Sequence, residues 1–138
     1  MDKFNISLRD LGAMFIRYEE KQESWNVHME DGAVEEVTGL RAHHIAVATI
    51  AEAQGVRFLC PLCFHNNSNS SIGVHSVICW SSSRGVPSYV KPLPGRWLLV
   101  GTGIDNLTLG REPTKTRSIL LTGDGCKWHG FVTDGYAT

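Results

Sequence analysis

The side chains of this chain best equipped for chemistry are its cysteines and the histidines near them. Cys60-Pro61-Leu62-Cys63 sets two thiols two residues apart, and Cys126-Lys127-Trp128-His129 sets a thiol and an imidazole at the same spacing. Such a gap lets a tight turn hold both donors on one ion, and tetrahedral Zn takes thiolate at about 2.3 Å and imidazole at about 2.0–2.1 Å. The spacing predicts one Zn ion held by Cys60, Cys63, Cys126 and His129. Four protein donors leave no position for water or substrate, so the expected ion is structural and no catalytic residue is assigned. Pro61 fixes φ at the first turn, while Gly123 and Gly125 free the backbone ahead of the second. His65, two residues past Cys63, is an alternative fourth ligand, and Cys79 a substitute one. The competing reading keeps the two turns apart and buries the thiols as inert core residues.

Two other arrangements of these residue types occur in the chain. His28-Met29-Glu30 followed by Cys60-Pro61-Leu62-Cys63 is similar to the His-x-Glu and Pro-Cys-x-x-Cys pattern of zinc deaminases, which leaves a zinc-dependent hydrolase or deaminase as an alternative. The residue before Cys60 is Leu59, however, where that pattern has proline. His75 and Cys79 on one strand would stand about 13 Å apart, beyond hydrogen-bond reach, so they form no dyad. Cys79, between Ile78 and Trp80, reads instead as a packed small side chain.

Thirteen basic and 14 acidic residues give a formal charge of −1, and no basic block is present, so nucleic acid is not the expected partner. The expected partner is a protein. Residues 1–7 carry no apolar secretory segment, and the longest mostly apolar stretch, residues 42–53, is too short and too polar to span a bilayer. The expected location is a reducing cytoplasm, where four cysteines are better explained by metal than by disulfides.

The elements that must position these groups follow from pattern. The 138 residues predict a single α+β domain: β-rich, with short, mainly antiparallel strands and one principal helix, closed by the zinc site. Residues 1–55 supply a hairpin and the helix; residues 56–138 supply the zinc-binding β-rich part. Alternation at Met14, Ile16 and Tyr18 and again at Trp25, Val27 and Met29 predicts a hairpin over residues 12–30, with a polar turn at 19–24. Asp31-Gly32 marks a second turn. The dense apolar run through Ile45, Val47 and Ile50 predicts a helix over about residues 38–54, capped by Thr38 and stopped by Gly55, with His43 and His44 in its middle.

A short strand over residues 56–59 leads into Cys60. The Asn/Ser run over 66–71 is an exposed loop, strands follow at 75–80 and 96–100, and Pro87, Pro92 and Pro94 forbid a central strand between them. Three more extended pieces lie at 107–109, 118–121 and 130–133. Sixty-two residues separate Cys63 from Cys126, more than the roughly 15–20 of a compact zinc ribbon. The domain is therefore built between the two halves of the site. Trp25, Trp80, Trp97 and Trp128 read as core or site-lining residues, with Trp128 placed to shield the thiolates.

The ordered run Phe58-Leu59-Cys60-Pro61-Leu62-Cys63-Phe64, Gly95-Arg96-Trp97, Leu107-Thr108-Leu109, Ser118-Ile119-Leu120-Leu121 and Cys126-Lys127-Trp128-His129-Gly130-Phe131-Val132 resembles a family of small uncharacterised proteins encoded by bacteriophages and prophages. The resemblance covers about residues 55–138. It implies a phage or prophage origin and a zinc site at Cys60, Cys63, Cys126 and His129, and with the four-ligand site the expectation is a non-catalytic protein of the host cytoplasm or the virion. Such a protein would bind host machinery such as a defence system, or serve as a virion component.

Overall fold

The computed structural model describes residues 4–93, 95–112, 114–121 and 126–138. Twelve strands are described, most of them short: β1 (Ile6–Ser7), β2 (Met14–His28), β3 (Val34–Val47), β4 (Gly55–Leu59), β5 (Ser76–Trp80), β6 (Leu98–Val100), β7 (Thr108–Glu112), β8 (Lys115–Thr116), β9 (Ile119–Leu120), β10 (His129–Gly130), β11 (Val132–Thr133) and β12 (Tyr136–Ala137). One α-helix, α1 (Pro61–Asn66), interrupts them. The strands form four sheets, ordered β3-β2-β4-β5, β6-β7-β8, β1-β12-β11 and β10-β9, and every pairing between these strands is antiparallel. The expected β-rich character is present. The helix is six residues long and lies within the cysteine motif.

The segment 38–54 is not helical. Residues 34–47 form β3, paired with β2 through 14 consecutive rungs from Phe15↔Val47 to His28↔Val34. Half-buried Val37, Gly39, His43, Ile45 and Val47 alternate with exposed neighbours, which is the period of a strand. The apolar run that suggested a buried helix is also rich in β-branched residues, whose restricted χ1 suits a pleated surface. Gly39 faces Trp25, where an added Cβ would stand 3.4 Å from the indole. Only a short 3-10 turn, Ile50–Glu52, remains of the expected helix.

The turn expected at 19–24 is also strand. The chain reverses at 29–33, where the Asp31 carboxylate accepts the Ala33 N–H at 2.9 Å and Gly32 takes φ +85°. Asp31-Gly32 is therefore the turn of one long ribbon. Polar residues within 19–24 are tolerated in strand because both faces of the ribbon stand largely in water.

The core sits between the root of this ribbon and the carboxyl-terminal strands. Leu8, Leu11, Phe15, Val56, Phe58 and Trp128 belong to one buried cluster that also takes in Leu107, Val132 and Ala137. A smaller cluster of Ile16, Trp80 and Val90 lies under the proline-containing segment that follows β5, and the Trp80 indole N–H donates to the Lys91 carbonyl at 2.8 Å. Gly55 opens β4 against Trp80, where an added Cβ would stand 2.7 Å from the ring. Its role is close approach between strands. No described helix is long and apolar enough to cross a membrane.

Candidate metal centre

Each side chain of the centre is delivered by a different local device. Strand β4 ends at Leu59, and Cys60 occupies the cap position of α1. Pro61 opens the helix, where its missing N–H costs nothing, and buried Phe64 anchors it, its N–H donating to the Cys60 carbonyl at 2.9 Å. Cys63 consequently faces the same space as Cys60. Beyond the helix the chain returns as β5, antiparallel to β4 with Leu59 opposite Ser76. One rung further, Cys60 stands opposite His75, and its N–H donates to the His75 carbonyl at 2.8 Å. The tail supplies the last donor, because the Leu121 N–H to Trp128 carbonyl bond at 2.9 Å extends the β9–β10 ladder and brings Cys126 back to the first three.

The ligand atoms of Cys60, Cys63, His75 and Cys126 all lie within 4.8 Å of one another. The sulfurs of Cys60 and Cys126 are 3.3 Å apart, close to the roughly 3.8 Å edge of a tetrahedron with bonds of about 2.3 Å. Cys60 is fully buried, Cys63 and Cys126 are half-buried, and His75 is exposed, so the group lies at the rim of the core with the imidazole outermost.

The three sulfurs differ in their electrostatics. Burial pushes Cys60 up to about 12, and burial with the neighbouring Cys126 also raises Cys63. Burial acts the same way on Cys126, but it is outweighed by hydrogen bonds to its sulfur from His75, Cys60, the Trp128 N–H and Cys63, which hold this thiol below its ordinary value. The Cys63 N–H likewise points at the Cys60 sulfur. The N–H contribution favours thiolate, the form a metal requires, and prevails at Cys126, whereas burial outweighs it at Cys60. Cys79, by contrast, is buried in the core, and burial alone raises its thiol far above the ordinary range.

Three of the four residues expected from spacing are therefore brought together, and the fourth place is taken by His75 in place of His129. Residues 128–130 are extended and alternate, with Trp128 and Gly130 buried and His129 turned outward on β10 opposite Leu120. His65 lies against Phe4, ring centroids 5.3 Å apart, and is outside the group. Gly123 and Gly125 lie outside the described residues. Trp128 packs edge-on against Phe58 at 6.1 Å, with its indole N–H donating to the Thr138 carbonyl at 3.3 Å. His28 ends β2, twelve residues beyond the last contact of that strand with β4, which places it and Glu30 about 40 Å along the ribbon. They take no part in the centre.

His75 had a signal in the sequence. The strands predicted before Cys60 and from residue 75 are consecutive along the chain, and pairing them antiparallel sets His75 beside Cys60. The chain is thus a β-rich protein with a three-cysteine, one-histidine group able to hold a metal ion. Comparison with protein-family models, with curated proteins and with solved structures finds no match to it.

Proposed function

We propose that this is a non-catalytic zinc protein in which one ion fastens the carboxyl-terminal tail to the β4–α1–β5 unit, and which acts by binding another protein. The convergence of three sulfurs and one imidazole carries the reading. Soft thiolate donors favour Zn over Mg or Ca, and a complete set of four protein ligands is the form of a structural site. The phage or prophage setting, with host machinery such as a defence system as the target, rests on the resemblance of the ordered motifs over residues 55–138. Binding to a protein is supported by the near-neutral charge and by the long ribbon exposed beside the core.

Metal analysis with native mass spectrometry tests the centre: one Zn per chain, and a melting temperature that falls on chelation, are the expected results. A metal-free chain that melts unchanged with chelator would overturn it. For the partner, the metal-loaded chain is used as bait in host lysate, with recovery of one stoichiometric host protein expected. Recovery of the chain in purified particles would replace that reading with a virion role.

A further inference from the structure

Beyond residue 16, β2 and β3 have no third strand beside them among the described residues: β4 pairs with β2 only at Met14, Phe15 and Ile16. Two-stranded ribbons are marginal in water, and this one runs for about 40 Å. It is held by cross-strand contacts, with Arg41 stacked 4.6 Å over Trp25, His43 bonded to Glu23 at 2.8 Å and Ser24 to Thr38 at 2.9 Å. Val34 and Leu40 stay 53% and 65% exposed.

The two edges of the ribbon differ. The Met29 N–H to Ala33 carbonyl bond fixes which residues bond across the ribbon, so odd residues of β3 bond to β2 and even ones turn their N–H and C=O outward. The Ile16 carbonyl, accepting from Gln54 on the opposite edge, obeys the same parity. On the β2 edge the Gln54 side chain takes the Tyr18 N–H at 2.9 Å, and Tyr89 of the proline-containing segment bonds Glu20. The β2 charges are also engaged, Lys21 with Glu19 and Glu23 with His43. Among the described residues, no side chain or segment from outside the ribbon covers the β3 edge. It runs from Val34 to Val47 with no proline, no lysine and no bulge, the usual devices that keep an edge single.

We infer that the β3 edge pairs antiparallel with β3 of a second copy, making a four-stranded sheet across a two-fold axis at Thr38. In a two-fold edge pairing, residues equally distant from the axis face each other on one side of the sheet. Glu35 then stands opposite the second copy's Arg41, twice over, both side chains lying on the Trp25 face. Thr38 meets Thr38, and Leu40 covers the aliphatic stem of Glu36. Neither Glu35 nor Glu36 makes an ion pair within the described chain, so the strand is self-complementary in charge. The pairing is independent of the metal centre.

Sedimentation or light scattering of the metal-loaded full chain should give twice the chain mass. Thr38→Pro removes an outward N–H at the axis and should weaken the dimer at least about tenfold. Ser24→Pro, directly across the ribbon on the β2 edge, should leave it. Glu35→Arg and Arg41→Glu should each be monomeric, and an equimolar mixture of the two should recover a mixed dimer. That mixture decides the matter if Thr38→Pro fails to fold. A monomeric wild-type chain, equal effects of the two prolines, or a mixture that stays monomeric would overturn the pairing.

Discussion

His75 and His129 carry the same imidazole, and only their places on strands separate them. His75 lies opposite Cys60 at the mouth of a hairpin, whereas alternation turns His129 to solvent on β10. His75→Ala should therefore lower Zn stoichiometry and melting temperature together, as should Cys126→Ser, because a structural ion contributes folding free energy directly. His129→Ala, a surface change, should move stability by no more than about 0.5 kcal/mol and leave one Zn bound. Metal analysis beside calorimetry reads both, and loss of Zn in His129→Ala alone would restore the spacing-based ligand set. Cys60 and Cys63 were legible in the sequence because a two-residue gap is a local property, whereas the gap that singled out Cys126 pointed to a partner, His129, that the fold turns away. His75 was obscured because its partner depends on register between two strands, which spacing along the chain does not express.

At the scale of elements, the hairpin illustrates how composition and period can conflict. Alternation at Met14, Ile16 and Tyr18 was legible, as was Asp31-Gly32 as a turn, but residues 42–53 carry apolar side chains densely enough to imitate a buried helix. Pairing with β2 over 14 rungs overrides that local preference, since tertiary context decides short apolar runs. His44 shows a consequence. In the strand its ring meets Trp80 at 5.2 Å and Tyr18 at 6.4 Å, and burial, aided by the Arg57 cation, lowers its pKa. The unfolded chain then takes the proton first as pH falls. This contribution to stability is complete above the ordinary histidine range and declines as pH drops through about 6.5 toward the lower folded value. His44→Phe keeps a ring against Trp80 without a titrating group, so the wild-type chain should lose more melting temperature than the variant between about pH 7.5 and pH 5.5. Parallel curves for the two chains would refute the assignment. Gly55 belongs to the same scale: Gly55→Ala drives a methyl into Trp80 and should cost about 1–3 kcal/mol in a denaturant melt.

For the whole molecule, the fold offers two closures of the chain, one by strand pairing and one by a metal. Near its ends, β1 pairs with β12 through Ile6↔Ala137, and Arg9 reaches Asp105 in a two-pronged ion pair at 2.8 and 2.7 Å. An ion held by Cys60, Cys63, His75 and Cys126 would add a second closure, joining the β4–α1–β5 unit to the tail through Cys126. The two closures enclose a core that includes Cys79 but is apolar in its own right, with Leu8, Leu11, Val56, Phe58 and Val132 all buried. Removing the metal should therefore release one closure and loosen the tail while the core survives. Thiol labelling tests this by count. The metal-loaded chain should react slowly at Cys60, Cys63 and Cys126, chelator should make all three react, and Cys79 should follow only in denaturant, because burial both shields its sulfur and disfavours its thiolate. Fewer than three thiols released by chelator would remove a cysteine from the centre. Four released together would mean that the metal holds the whole core, and that the sheet joining the chain ends contributes too little to stand without it.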